Sequence, residues 1–443
     1  MSKTILFWPD VYKEQGHWLP TLHWAQQLHD DGGHVIKYMG IEDCRSIIDA
    51  YPIDSDNHHF DYTAIFGNIY PLGYTTECHT SPNERWHADH IWAIAYSALS
   101  NLETDYKGKL NDKLYADALA FQKAMSTPPD LLVSGYFTSL ESLLIHKIYN
   151  VPVVISTTYL RHPSEDPAMR AIQNLKAFSR TELFKLMNLA TIRQESYEDP
   201  EIELQDFVSD LETFKELIPC PREFEYSHYT PGDMVHYVDP CITNEFIPPA
   251  SDTTDWNSVL ANEKLIFVTA GSQVLDYEGK ARHLFHSMCE AMSSAELSDH
   301  HLILGVGTKL MNDYEWYEFE DAPNITIAGW VPQRRILSSP NLEIALVHGG
   351  LATIKECIYN NKKFLILPMG KDQVDNSLRL RKYGIDNSYP ISSVSSANLV
   401  SAITAFESDR GSIERLAVLS GVFVAAEGNK PGYHELMKSL GEE

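Results

Sequence analysis

The sequence predicts an α/β protein of two doubly wound parallel-sheet domains, one after the other along the chain. Three observations carry this. Short apolar runs alternate with helix-length amphipathic stretches, the pattern of strand–helix–strand units. The alternation occurs twice, interrupted by a stretch rich in Pro, Ser, Thr and Asp at 244–262 (NEFIPPASDTTDWNSVLAN). The length, 443 residues, exceeds what a single core supports and gives two to three domains.

In the first half the runs that read as strands are Thr4–Trp8, His34–Met39, Leu131–Ser134, Val153–Ser156 and Met234–Val238. In the second half they are Leu265–Ala270, His301–Gly305, Ile325–Ala328, Ile344–Val347 and Phe364–Leu367. Each is short, apolar and bounded by polar or turn-forming residues. Leu19–Asp31, Leu140–Tyr149, Glu278–Met292 and Ala352–Tyr359 have helical length and spacing. Residues 89–125 are helical in pattern and bear aromatics, so they are expected to decorate the first sheet. The expected division is a domain over 1–243, a linker at 244–262, a domain over 263–420, and a terminal segment, 421–443, packing back on the first domain. Two open sheets joined by a linker are expected to face a cleft, with ligands at the carboxyl ends of the strands.

Composition narrows the function classes. The chain is 44% apolar and 22% charged, with 35 Lys and Arg against 61 Asp and Glu, a net charge of −26. That charge repels phosphate backbones and anionic lipid, so neither nucleic acid nor a membrane surface is an expected partner. Any phosphorylated ligand must be held locally. The six cysteines (Cys44, Cys78, Cys220, Cys241, Cys289, Cys357) form no CxxC pair. They read as reduced thiols, which together with the absence of a signal peptide or an 18-residue apolar run leads to the expectation of a soluble, cytoplasmic protein.

Three motifs lie in expected strand-to-helix turns. Gly16-His17-Trp18-Leu19-Pro20 follows the first strand; a histidine at a helix N-terminus tends to stay neutral and able to act as a base. Ala270-Gly271-Ser272-Gln273 follows the strand at 265–270, and a Gly-Ser turn lets backbone amides approach a phosphate. The third is long: Gly329-Trp330-Val331-Pro332-Gln333, then Val347-His348-Gly349-Gly350-Leu351-Ala352-Thr353-Ile354-Lys355-Glu356, then Leu367-Pro368-Met369-Gly370-Lys371-Asp372-Gln373. Its Gly-Gly turn opens a helix whose amides form an anion site with His348 and Thr353. Glu356 sits one turn further on and suits ribose hydroxyls, Trp330 offers a flat face for a base, and Asp372 and Gln373 suit a hydroxyl-rich group. For any one of these residues an ordinary turn or cap role is the simpler account; together, in register, they are specific.

With these motifs the sequence resembles the UDP-glycosyltransferase superfamily, including its bacterial macrolide and natural-product members. The resemblance rests on Gly16-His17 and Pro20 at the front and on the box from Trp330 to Gln373 at the back. It implies the GT-B fold, two Rossmann-like domains, and an inverting transferase acting on a small, largely apolar acceptor. Under it, residues 1–243 bind acceptor and 263–420 the nucleotide sugar. His17 is the general base. Trp330 stacks on the nucleobase, with Gln333 at its edge or the ribose, and Val331 is among the nucleotide-binding residues. Gly271, Ser272, His348, Gly350 and Thr353 hold the diphosphate, Glu356 the ribose, and Asp372 with Gln373 the donor sugar. An acid at 356 favours a UDP-sugar, with glucose as the default. Trp18, Tyr136, Phe137 and Glu141 are candidates for the acceptor site. The resemblance implies no cofactor and no metal beyond the UDP-sugar co-substrate, and a monomer or homodimer.

One departure stands out. The family places an aspartate behind the catalytic histidine, in a segment like Pro-Asp-Leu-Val-Val-x-Asp; here Pro129-Asp130-Leu131-Leu132-Val133-Ser134-Gly135 puts Gly135 in that place. Glu141 or Asp89 is then the expected substitute, or the acceptor is itself acidic. Two alternative readings follow: a non-catalytic sugar-nucleotide-binding or activator protein on the same fold, and a sugar-nucleotide epimerase. Asp54, Asp56, His58 and His59 read as a solvated turn rather than a metal cluster, and His79, His87 and His90 as surface or core histidines.

Overall fold

The computed structural model describes residues 2–442 except 55, 57, 74–84, 100–110, 161–165, 178–206, 243–248, 250–251, 312–318 and 320–321, and it leaves out the side chains of 85–88, 174–177 and 407. Cys78 and His79 lie outside the described residues, as does the side chain of His87. The chain divides into two compact units. The first comprises Met1–Pro219, His228–Cys241 and Lys430–Glu443; the second comprises Cys220–Ser227 and Ile242–Asn429. The return to the first unit therefore falls after Asn429 rather than at 421, and the short 220–227 segment goes with the second unit.

In the first unit the order is β1 (Thr4–Trp8), α1 (Gln15–Asp30), β2 (Val35–Gly40), α2 (Arg45–Asp49), β3 (Asp61–Ala64), α3 (Arg85–Ser97), α4 (Asp112–Ala124) and β4 (Leu131–Gly135). It continues with α5 (Ser139–Tyr149), β5 (Val153–Ser156), α6 (Pro167–Ala177), β6 (Lys215–Ile218) and β7 (Val235–Tyr237). The seven strands are all parallel, in the order β3-β2-β1-β4-β5-β6-β7. β1 and β4, at the centre, are almost wholly buried, as near-continuous apolar strands covered on both faces must be. Two strands escaped the sequence pattern. β3 (DYTA) is a short, largely exposed edge strand, and β6 (KELI) carries two charges, one of which, Glu216, is buried and accepts from the Thr157 hydroxyl.

The second unit runs α7 (Trp256–Leu260), β8 (Leu265–Thr269), α8 (Glu278–Ala291), β9 (His301–Gly305), α9 (Thr308–Met311), β10 (Ile325–Ala328), α10 (Gln333–Ser338) and β11 (Leu342–Val347). Then come α11 (Leu351–Tyr359), β12 (Phe364–Ile366), α12 (Gln373–Arg381), α13 (Ser396–Glu407) and α14 (Arg410–Asn429). Its five strands are also parallel, in the order β10-β9-β8-β11-β12. One face of that sheet packs Ile266, Val268, Leu302, Leu304, Ile344 and Leu346 against α8 and α13 through Leu284, Phe285, Met288, Leu399 and Ile403.

The terminal helix α15 (Pro431–Ser439) belongs to the first unit. Its first turn is held by Asp239, a fully buried carboxylate that accepts from Gly432 N at 2.6 Å and from Trp24 Nε1 at 3.2 Å. Gly432 is required there, since a Cβ would stand 2.3 Å from Trp24 Nε1.

In each sheet the strand order reverses direction once, between β1 and β4 and between β8 and β11. Doubly wound sheets open a crevice for ligands at the carboxyl ends of those strand pairs. Residues 16–20 follow β1, Gly271-Ser272 follows β8 and His348-Gly349-Gly350 follows β11, at these crevices, while residues 330–333 and Asp372-Gln373 follow the edge strands β10 and β12.

Candidate functional site

At the switch point of the first sheet, β1 ends at Trp8 and α1 begins at Gln15, so His17 lies in the helix's first turn rather than in the preceding loop. Its backbone N–H donates to Glu14 O at 2.9 Å, and the helix runs through Pro20. The imidazole is 17% exposed. Nδ1 is hydrogen-bonded to Oδ2 of Asp10, a carboxylate only 1% exposed. Asp10 Oδ1 accepts from Tyr12 N at 3.1 Å, which fixes the carboxylate in the turn leaving β1. A carboxylate on Nδ1 holds the proton there, leaves Nε2 as the basic nitrogen, and stabilises the imidazolium once it forms. Glu14 Oε2 lies 3.5 Å from Nε2.

The partner of His17 is therefore Asp10, which corrects the expectation of Glu141 or Asp89. Glu141 is 1% exposed and hydrogen-bonds to His90 Nε2, while Tyr70 Oη lies 2.7 Å from His90 Nδ1. Glu141 is thus part of an interior network and not of an acceptor pocket. Gly135 also has a steric reason: a Cβ there would stand 1.7 Å from the Pro9 carbonyl oxygen. No aspartate fits where β4 passes the end of β1, and the carboxylate comes from β1's own continuation instead.

Of the other acceptor candidates, Trp18 is corrected too. It is fully buried, donates from Nε1 to Tyr12 O at 2.9 Å, and stacks on Tyr38. Phe137 does lie beside His17, its ring stacked on the imidazole with centroids 5.3 Å apart. Tyr136 is nearly buried; its ring meets Phe137 edge-on at 5.6 Å and its hydroxyl donates to Asp166 O at 3.1 Å.

At the switch point of the second sheet, β8 runs into Gly271-Ser272 and β11 into His348-Gly349-Gly350. The His348 imidazole fills the gap between the two turns. A Cβ at Gly271 would stand 2.4 Å from its Cε1, and one at Gly350 would stand 2.5 Å from its Nε2. Gly271 also has φ +79°, open to glycine at little cost. Burial, with the charge of Lys371 nearby, pushes the His348 imidazole down to about 4, so it is neutral near pH 7. Its Nδ1 is buried with no partner. Gly350 caps α11 without a side chain, leaving the first-turn amides to an outside acceptor. Ser272 is exposed beside them. The arrangement suits an anion: helix amides, a neutral imidazole with an unused nitrogen, and a serine hydroxyl.

Gln333 and Glu356, expected near one ribose, are brought together. Gln333 Nε2 donates to Glu356 Oε2 at 2.5 Å and lies 3.4 Å from Thr353 Oγ1. Arg334, which the sequence analysis did not single out, pairs its Nη2 with Glu356 Oε1 at 3.2 Å. Trp330 and Val331 precede them on the loop after β10, half-buried, and Val331 O accepts from Gln333 N at 2.8 Å. Gln373 is used internally: Oε1 accepts from Met369 N (2.7 Å) and Gly370 N (3.1 Å), and Nε2 donates to Tyr277 Oη (2.9 Å). It shapes the turn before α12. Asp372, half-buried at the start of that helix, accepts from Asn376 Nδ2 at 2.9 Å. Lys371, at φ +54°, pairs with Asp276 Oδ2 at 2.7 Å. Asp10 was legible only as an acid seven residues before His17, and Arg334 only as the neighbour of Gln333.

Residues 319–423 match the family model described as UDP-glucoronosyl and UDP-glucosyl transferase. UDP-glucuronosyltransferase 3A1 of Xenopus laevis is 30% identical over 82 residues, 18% of this chain and 16% of that one. A UDP-glycosyltransferase of Talaromyces amestolkiae is 25% identical over 162 residues, 33% of this chain and 31% of the relative. The matched part is thus under a third of these relatives' own length. Among solved structures, the glycosyltransferase of kitacinnamycin superposes over 99% of this chain and 100% of its own at TM-score 0.65 and 18% identity. The spinosyn rhamnosyltransferase SpnG complexed with thymidine diphosphate covers 100% of both chains at TM-score 0.60 and 16% identity. The resemblance to the UDP-glycosyltransferase superfamily is borne out by sequence over 319–423; over the whole chain the solved structures share its expected GT-B fold.

Proposed function

We propose that the protein is an inverting glycosyltransferase that moves a hexose, with glucose as the default, from a UDP-sugar to a hydroxyl of a small, largely apolar acceptor. The observation that supports it most is the Asp10–His17 pair at one switch point, in a chain whose other switch point holds a neutral histidine between two glycines at a helix N-terminus.

In this reading the acceptor oxygen gives its proton to His17 Nε2 and attacks the anomeric carbon. The bond from that carbon to the β-phosphate oxygen breaks, and UDP leaves with the electron pair. Asp10 stabilises the imidazolium. Charge on the departing diphosphate is met by the α11 amides, Ser272, Thr353 and the unused nitrogen of His348, and needs no metal. Trp330 stacks on the uracil. Glu356 retains lone pairs for ribose hydroxyls beyond those taken by Gln333 and Arg334. Asp372 meets the sugar, with Gln373 acting through the turn it shapes.

The non-catalytic reading drew its support from Gly135, and Asp10 removes that support. Calorimetric titration with UDP and dTDP tests the donor half: UDP is expected to bind tighter, through its 2′-hydroxyl and Glu356. Absence of UDP binding, or equal affinity for the two nucleotides, counts against the assignment.

A further inference from the structure

The ring on which the base is stacked carries a second group with no role in the chemistry above. Arg170, on α6, places its guanidinium carbon 4.4 Å from the Phe137 centroid and 5.7 Å from that of Tyr136. Tyr159 stacks on the same Phe137 ring at 5.6 Å. Imidazole and guanidinium thus share one aromatic ring. Arg170 is half-buried, its Nε is buried with no hydrogen-bond partner, and among the described residues no carboxylate pairs with it. That contrasts with Arg45, Arg282, Arg334, Arg379 and Arg381, each of which holds an Asp or Glu. In a chain of net charge −26, an arginine that pairs with no carboxylate among the described residues and shares a ring with His17 is free to meet an outside anion.

Resting on the transferase reading, we propose that Arg170 selects acceptors bearing a carboxylate. The planar fork of a guanidinium matches a carboxylate's two oxygens, and the half-buried Phe137 and Tyr159 leave apolar ring edges beside it for an aromatic body. The acceptor is then a hydroxyaryl acid or a near relative: acid end on Arg170, hydroxyl end on His17 Nε2. Arg170 acts in binding and takes no proton.

The test uses the full-length protein and needs no turnover. Binding of 4-hydroxybenzoate, 4-hydroxycinnamate and 3-(4-hydroxyphenyl)propionate is measured by calorimetry beside that of their methyl esters. The same titrations are run on Arg170→Gln and Arg170→Lys, with UDP affinity as the control. At least one acid should bind roughly tenfold or more tighter than its ester; Arg170→Gln should erase the preference and Arg170→Lys keep part of it, with UDP affinity unchanged in both. Equal binding of every acid and ester, failure of all three acids to bind, or a preference surviving in Arg170→Gln overturns the proposal. Failure of UDP to bind the wild type would instead strike the transferase reading, so the two are told apart.

Discussion

A hydrogen bond between two residues seven apart carries the chemical reading. His17 without Asp10 is a histidine of undefined tautomer; a carboxylate on Nδ1 favours the proton there, and the proposed function has Nε2 take the acceptor's proton. Asp10→Asn should lower kcat by a factor on the order of 10² to 10⁴ and leave UDP affinity alone, measured by steady-state transfer and calorimetry. An unchanged kcat would mean that the carboxylate is not used. His348 gives a stability prediction. Its folded value of about 4 lies below the ordinary histidine value of about 6.5, so between those values the unfolded chain binds the extra proton. The contribution is therefore constant above pH 6.5 and is lost as pH falls from 6.5 towards 4, by about 3 kcal/mol in all. Urea denaturation from pH 7.5 to 4.5 should show this slope in the wild type and a shallower one in His348→Asn. Sequence legibility at this scale followed contiguity. The box from Trp330 to Gln373 is nearly continuous and could be read as a pattern. Asp10 could not, because the expected partner sat on β4, where the Pro9 carbonyl leaves no room for a side chain. Nor could Gln373's engagement by the 369–370 amides be read from residue types.

Elements were legible to the extent that they are buried. The central strands β1, β4, β5, β8 and β9 are apolar runs because helices cover both faces of a doubly wound sheet. β3, exposed at the edge, needs no such run, and β6 hides a charge by hydrogen-bonding it to Thr157, so both evaded a hydrophobicity pattern. The start of α1 was misplaced because Pro20 reads as a first-turn residue, whereas it is the sixth residue of the helix. At this scale Asp239 is the informative position. Replacing it by Ala leaves Gly432 N and Trp24 Nε1 without their buried acceptor, at a cost of about 1–3 kcal/mol. Asp239→Ala should lower the melting temperature and expose the chain near 430 to limited proteolysis; a wild-type melting curve and cleavage pattern would show that α15 is held by other contacts.

At the scale of the molecule, the two proposed half-sites lie on separate units. The Asp10–His17 pair and Arg170 belong to the first; His348, the start of α11 and the Gln333–Glu356 pair belong to the second. Perturbations should therefore separate. UDP at a hundred times its Kd should stabilise the wild type by about 2.7 kcal/mol. His17→Ala should keep that gain, and Glu356→Ala should lose most of it at the same UDP concentration. The double strand–helix alternation made the two-sheet organisation readable. The crossing at 241/242 lies beside the Pro-, Ser-, Thr- and Asp-rich stretch at 244–262 that marked it, whereas those at 219/220, 227/228 and 429/430 fall in short connections with no such mark. The most direct test of the account is mass spectrometry of phenolic acceptors incubated with the full-length protein and UDP-glucose in the presence of EDTA. The account predicts a gain of one hexose on an acceptor, present with wild type and lost with His17→Ala. Bound UDP with no hexose on any acceptor, or transfer undiminished in His17→Ala, would contradict it.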